Sequence, residues 1–330
     1  MLLESRRNFL KGMAATGVLA LAASGAEAAI PKSPNGKPLA GVFPIGWTPC
    51  TPDNKLNVDA MAKQMAFLNR GKVAGMAWPQ NASGWQTLSS KEWNDGAEAL
   101  ASVKGTSALV LGVQTTGFNI VNSQAYARTA KRLNADGIIS IVPPDVSDAE
   151  VIKYFKALSD ASNLPIMVQA IGNTTVDTLV TLSKALPSVV AIKDEAGDPL
   201  ADAPALLQRT GGKLEVFSGA GGMKFFPDME LGFTGTCPYV GLADVLQACF
   251  NRYQAGQKRE AFNIFGAFLA FNAQPRANEY VMMARGVFAD DAVMRKMPSA
   301  QEKKEPPITA AQKAEIRKLL DTYLKPYLVA

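Results

Sequence analysis

Short apolar runs alternate with amphipathic stretches from Pro38 to about Ala255, and no other feature constrains the fold as tightly. The runs Ala40–Ile45, Gly75–Trp78, Ala108–Val113, Gly137–Val142, Pro165–Val168, Val189–Lys193, Leu214–Phe217 and Thr234–Cys237 are too short for buried helices and read as strands. Between them lie helix-like segments: Val58–Leu68, Ser89–Val103, Asn122–Asn134, Asp148–Ala161, Val176–Ala185, Asp202–Arg209, Gly222–Glu230 and Ala243–Ala255. Several open with capping sequences, such as Ser89-Ser90-Lys91-Glu92 and Ser147-Asp148-Ala149-Glu150. Eight strand–helix units predict an α/β fold, a (β/α)8 TIM barrel. A doubly wound sheet is the alternative, but its glycine-rich fingerprint does not follow the first strand. Arg259–Asn272, Asn278–Phe288 and Ala310–Tyr323 predict additional C-terminal helices packed outside the barrel. The expected division is a barrel over 29–255 and a helical extension over 256–330.

The first 28 residues stand apart. Ser5-Arg6-Arg7-Asn8-Phe9-Leu10-Lys11 matches the twin-arginine export pattern, an Ala-rich apolar stretch runs from Gly12 to Ala23, and Ala26-Glu27-Ala28 is a small-residue cleavage site. The apolar stretch is too short and too rich in Ala and Gly to span a bilayer. The expectation is a signal peptide cut before Ala29, a partnership with the twin-arginine machinery, and a folded periplasmic or secreted protein without a membrane span. The net charge is a mild +5, and no basic stripe interleaves with aromatics, so nucleic acid is not implied as a partner. The run Gln301-Glu302-Lys303-Lys304-Glu305-Pro306-Pro307 reads as a solvated loop. The absence of histidine excludes Ser-His-Asp and Cys-His mechanisms and most zinc and non-haem iron sites. Cys50, Cys237 and Cys249 lack metal-ligand spacing. They are expected as buried free thiols, with a Cys50–Cys237 disulfide conceivable in an oxidising compartment. No metal or cofactor is expected.

One lysine interrupts the apolar pattern. Lys193 ends the run Val189-Val190-Ala191-Ile192 and shares a strand face with Val189 and Ala191. An ammonium there sheds hydration, which favours the neutral, nucleophilic amine that forms Schiff bases with carbonyl compounds. The plainer reading is a lysine just past the strand end, reaching solvent or pairing with Asp194 or Glu195. In a barrel the site forms at the C-terminal ends of the strands. Those ends carry Thr48, Asn81, Gln114, Thr115, Pro144, Gln169, Lys193, Ser218 and Tyr239. This mostly uncharged set suits a small polar carbonyl compound better than a phosphate ester.

The order and spacing of several motifs resemble the dihydrodipicolinate synthase / N-acetylneuraminate lyase family of Schiff-base aldolases. The resemblance runs from Leu39 to the C-terminus. Gly41-Val42, Thr48-Pro49 and Asn57-Val58-Asp59 are similar to its opening pattern, and Thr87-Leu88-Ser89 to the start of its second helix. Val142-Pro143-Pro144 resembles its P-P-Y-Y turn and Leu164-Pro165-Ile166 its l-P-i strand. Ile192-Lys193-Asp194 with Gly197-Asp198 is similar to the segment holding its Schiff-base lysine. Ser218-Gly219, and Gly232 with Gly235, fit the seventh and eighth strands. The resemblance implies a (β/α)8 barrel, a lysine nucleophile, a 2-oxo acid substrate and a homo-oligomer, commonly a tetramer.

The departures fall on the residues around the lysine. Gln80-Asn81-Ala82-Ser83-Gly84 replaces the family's carboxylate-binding G-T-T-G-E, Gln169-Ala170-Ile171-Gly172 replaces Y-N-x-P with its proton-relaying tyrosine, and Asp145-Val146 replaces Y-Y. Imine formation needs an acid and a base, and a glutamine cannot titrate. Glu195, if the strand stays extended past Lys193, and Tyr239 are the candidate replacements; Asp145 is a weaker one. The plainer readings are a surface loop carboxylate for Glu195 and a packing residue for Tyr239. Asn81 and Ser83 can offer donors to a carboxylate or be simple turn residues, while Thr48, Gln169 and Ser218 complete the candidate binding set. Two functions follow: a lysine-dependent lyase of the class I aldolase type, making or breaking C–C or C–O bonds in a 2-oxo acid, or a non-catalytic periplasmic small-molecule-binding protein on a degenerate aldolase barrel.

Overall fold

Eight parallel strands form where the apolar runs lie: β1 (Gly41–Val42), β2 (Gly75–Trp78), β3 (Ala108–Gly112), β4 (Gly137–Ile141), β5 (Ile166–Gly172), β6 (Val189–Ala196), β7 (Glu215–Ser218) and β8 (Gly235–Thr236). They are seen in a computed structural model that describes residues 31–103, 105–298 and 306–329. The expected leader, residues 1–28, and most of the Gln301–Pro307 run lie outside the described residues. Neighbouring strands pair in chain order from β2 to β8, and β8 pairs with β1. A parallel bridge from Ile45 to Ala77 closes the circle, with Gly46 N donating to Ala77 O at 3.0 Å. The fold is the expected (β/α)8 barrel. Close approach accounts for Gly75, where a Cβ would lie 2.2 Å from the Phe43 ring inside the barrel.

Helices alternate with the strands: α1 (Val58–Arg70), α2 (Ser90–Ser102), α3 (Ile120–Arg132), α4 (Asp148–Ser162), α5 (Val176–Ala185), α6 (Pro199–Arg209), α7 (Phe225–Glu230) and α8 (Ala243–Gln254). Ser89 and Ser147 form capping boxes with Glu92 and Glu150, as the sequence predicts. Each helix turns apolar residues onto the barrel, building an outer core around Leu68, Trp78, Leu111, Phe155, Ile192 and Phe225. A separate inner core fills the barrel with Phe43, Ile45, Ala77, Val110, Ile139, Met167, Ala191, Phe217 and Cys237. These two cores fix the direction of every strand residue.

Beyond the barrel come α9 (Lys258–Asn272), α10 (Ala277–Ala284) and α11 (Ala310–Leu319). The tenth helix is shorter than expected, because the chain turns at Gly286 with φ +69°. The extension is stapled to the barrel at two buried arginines. Arg285 donates to both Asp244 carboxylate oxygens at 2.8 and 2.7 Å, joining the end of α10 to the start of α8. Val293–Met294 pairs antiparallel with Pro49–Cys50, and the adjacent Arg295 reaches Glu92 at 2.8 Å. That return brings Lys296 beside Gly84 at the barrel's C-terminal end, where a Cβ on Gly84 would meet Lys296 O at 2.6 Å. Among the described residues no helix is long and apolar enough to cross a membrane.

Candidate active site

Strand alternation places the functional side chains. Ala191 lies in the inner core, so Lys193 and Glu195, two and four residues on, also turn inward. The strand persists past Lys193 because Asp194 and Glu195 pair with Ala170 and Ile171 of β5. By the same count Gln169 follows Met167 inward, Gly219 follows Phe217 and Tyr239 follows Cys237. Gln169 stands directly opposite Lys193 in the β5–β6 register.

These side chains meet. The Lys193 ammonium donates to Glu195 Oε1 at 2.8 Å, and the Gln169 amide donates to Glu195 Oε2. Lys193 is only 3% exposed, while the Glu195 side chain is 27% exposed and bridges from the interior towards solvent. An uncompensated ammonium this deep would cost several kcal/mol, roughly, so the carboxylate is what makes it tolerable. Gly219 creates the space: a Cβ there would lie 1.9 Å from Glu195 Cγ. Beneath them burial pushes the Cys237 thiol up to about 12, lowered by the positive charge of Lys193 and raised by Glu195. All three cysteines are buried free thiols, so Cys50 and Cys237 are not bonded.

Tyr239 sits above Cys237, 37% exposed, with its ring stacked on Trp47 at 4.9 Å. Burial raises its hydroxyl above the ordinary tyrosine range, with Glu279 and Glu195 adding to the rise and Lys296 opposing it. Glu279 and Lys296 pair with each other at 3.0 Å.

Thr48 and Ser83 serve the framework. The Thr48 hydroxyl donates to Ser83 O at 2.8 Å and accepts from Trp78 Nε1 at 2.9 Å. The Ser83 hydroxyl donates to Gly46 O at 2.6 Å and accepts from Gln80 N at 3.1 Å. Both lock the β1 and β2 ends together, and neither hydroxyl has a proton left for a substrate carboxylate. Asn81 Oδ1 accepts from Trp85 Nε1 at 3.0 Å. Ser218 lies on the opposite face from Phe217 and Gly219, towards the helices, beside buried Asp228. Asp145 is exposed in a left-handed turn, φ +57°.

Sequence reasoning passed over Trp47 and Gln80. Gln80 packs over the β3 end, its amide donating to Pro79 O at 2.7 Å and to Gln114 Oε1 at 3.3 Å. Gln80 Oε1, Gln169 Oε1 and Trp47 Nε1 are buried without hydrogen-bond partners among the described residues. Buried polar atoms are normally satisfied, so such orphans mark places where a ligand can complete the bonding. No signal in the sequence singles out Trp47, whose side chain packs with the outer core.

A barrel with an inward lysine, a carboxylate against it and the unpartnered Gln169 oxygen beside it has the form of a small-molecule site. Comparison with known proteins gives the lineage. Residues 38–313 match the Dihydrodipicolinate synthetase family, and the chain belongs to that family. It is 29% identical over 274 residues to 4-hydroxy-tetrahydrodipicolinate synthase 2 of Streptomyces coelicolor, covering 80% of this chain and 88% of the relative. It is 28% identical over 244 residues to the 4-hydroxy-tetrahydrodipicolinate synthase of Moorella thermoacetica, covering 69% and 82%. Among solved structures, dihydrodipicolinate synthase from Rhodopseudomonas palustris superposes with a TM-score of 0.71 at 22% identity, over 86% of this chain and 97% of that one. The sialic acid aldolase of Ruminococcus gnavus gives 0.73 at 17% identity, over 88% and 99%. These structures share the fold.

On the outer face of β6, burial raises the Asp194 carboxyl to about 6, with Asp202, Glu195 and Asp228 adding to the rise and the Ala196 amide opposing it. The folded state therefore holds this proton more tightly than the unfolded chain. The stabilisation is full below about pH 4 and is lost as pH rises to about 6. From 3.8 to about 6, at about 1.4 kcal/mol per factor of ten in proton affinity, the loss is about 3 kcal/mol. Asp194→Asn should flatten the stability curve between pH 4 and 6 and exceed the wild type at pH 7, by denaturant unfolding. A mutant curve parallel to the wild type would contradict this assignment.

Proposed function

We propose that this chain is a lysine-dependent lyase of the class I aldolase type acting on a 2-oxo acid, with Lys193 as the nucleophile. The observation that carries the reading is the buried contact between Lys193 and Glu195, on a strand face that opens at the C-terminal end of the barrel. Membership of a family with synthase and aldolase relatives supports it. In this reading Glu195 accepts the lysine proton when substrate arrives, freeing the amine to attack the C2 carbonyl. Glu195 then returns a proton to the carbinolamine hydroxyl, which leaves as water to give the imine. Gln169 does not titrate; it orients the carboxylate through its amide and offers its orphaned oxygen to a substrate hydroxyl. Glu195 thus takes the acid–base role that the family's tyrosine holds.

Under this reading Lys193→Ala abolishes turnover of a 4-hydroxy-2-oxo acid. Glu195→Gln lowers kcat by about 10²- to 10⁴-fold, the usual weight of a general acid–base group. Both are read from steady-state kinetics with release of the 2-oxo acid as the assay. Full activity in Lys193→Ala would end the proposal. A second reading, a non-catalytic binding protein, is favoured by one observation: the Ser83 hydroxyl and the tyrosine position at Gln169 offer no proton transfer. Unchanged ligand affinity in Lys193→Ala, with no turnover by the wild type, would select it.

The leader motif further supports export, which places this chemistry on a periplasmic or extracellular compound rather than a cytoplasmic biosynthetic one. Replacing Arg6 and Arg7 by lysine should retain the chain in the cytosolic fraction on cell fractionation. An export level unaffected by that change would count against the twin-arginine route.

A further inference from the structure

Lys193 and Glu195 occupy the inner face of β6, and its outer face carries a second polar group that imine chemistry does not use. Asp194 stands beside Ser218 in the β6–β7 register, and Ser218 stands beside Thr236 in the β7–β8 register. Phe217 and Cys237 fill the inner core, so by alternation Ser218 and Thr236 turn outward, as Asp194 does between Lys193 and Glu195. The three side chains form a row across neighbouring strands, in steps of about 4.8 Å. Helix α7 adds a fourth residue, because the Ser218 hydroxyl hydrogen-bonds the Asp228 carboxylate. Asp194, Ser218, Thr236 and Asp228 are 4, 3, 0 and 1% exposed.

Two atoms of this group lack partners. Asp228 Oδ2 and Thr236 Oγ1 are buried without a hydrogen bond among the described residues. Both residues adjoin Ser218, one through its hydrogen bond and the other through strand pairing, so the two orphans converge on one place. Asp194 Oδ1 accepts from Ala196 N at 3.2 Å. The charges that act on Asp194 are those of Asp202, Glu195 and Asp228, all carboxylates, and Lys224, which acts on Asp228, is exposed. Buried carboxylates without a cation beside them are costly, and buried polar atoms are normally satisfied. The four side chains offer oxygen alone, without nitrogen or sulfur, which is the ligand set of a hard cation.

We propose that Asp194, Ser218, Thr236 and Asp228 form a binding site for a hard metal cation between the outer face of β6–β8 and α7. The ion is calcium or sodium, which share a size and a preference for oxygen and differ in charge. Calcium balances two ionised carboxylates and sodium balances one. Bound there, the ion ties the C-terminal ends of three strands to α7, behind the strand that carries Lys193 and Glu195. The site stands independently of the lyase reading. No motif in the sequence marks it, because its residues come from three strands and a helix.

For the test, the full chain is stripped with a chelator, desalted and unfolded thermally at pH 7.5 in choline chloride. Calcium chloride or sodium chloride then replaces the choline salt at constant ionic strength. The unfolding midpoint should rise saturably, and the ion that acts at the lower concentration names the charge the site takes. At a free concentration 100 times Kd the folding equilibrium should move about 100-fold towards the folded state. Equilibrium dialysis should find one such ion per chain. Asp228→Asn and Thr236→Val should each weaken binding by about 10-fold or more, since even groups outside the ligand shell are worth that much. Should Asp228→Asn fail to fold, Thr236→Val, which keeps shape and charge, carries the comparison. A midpoint that stays at the choline control with both ions overturns the proposal. A rise that survives unchanged in the variants also overturns it, by assigning the ion to another place.

Discussion

A lysine ammonium lies almost wholly buried in the upper interior of a closed barrel, and one carboxylate two residues along the same strand makes that possible. Lys193 and Glu195 are 2.8 Å apart, and the arrangement depends on β6 staying extended through Ala196. If the strand ended at Lys193, Glu195 would turn into a loop and the ammonium would face the inner core without compensation. The glycine at 219 and the amide at 169 both serve this contact, one by making room and the other by holding the second carboxylate oxygen. Removing either partner leaves a buried charge, so the pair is costly to break even where it adds little net stability.

The barrel supplies what such a site needs through two cores of different character. The outer core locks helices to strands, and the inner core of Phe43, Val110, Ile139, Met167 and Phe217 closes the barrel beneath the lysine. The site is thus open on one side only. Polar side chains at the β1 and β2 ends are spent on the frame: Thr48, Ser83 and Trp78 form a chain of hydrogen bonds that binds the two strand ends where the ladder is thinnest. The C-terminal extension adds to the rim through Arg295 and Lys296, so the barrel and the extension together shape the mouth.

Much of this was legible in the sequence. The eight units, the helix caps and the inward lysine follow from periodicity and capping chemistry, and they stand within a few residues of their expected positions. The reach of β6 was legible only as a condition. Asp194, Glu195 and Gly197 look like the start of a solvated turn, and pairing with Ala170, Ile171 and Ser218 overrides that local preference. Ser218 was misplaced for a related reason, because the strand end alone does not say which face a residue takes; the inner-core position of Phe217 does. Thr48 and Ser83 were indistinguishable from ligand contacts, since a hydroxyl that bonds a distant carbonyl leaves no trace in the local sequence. Trp47 and Gln80 became visible only when their unsatisfied atoms were placed in space.

The central claim is that the Lys193 amine forms a covalent imine with a 2-oxo acid. Borohydride reduction of the protein with pyruvate and a panel of 2-oxo acids, followed by intact mass and peptide mapping, addresses it directly. The account predicts one stable adduct per chain, on Lys193 and absent from Lys193→Ala. A folded protein that yields no adduct with any member of the panel, or an adduct on another lysine, would contradict it.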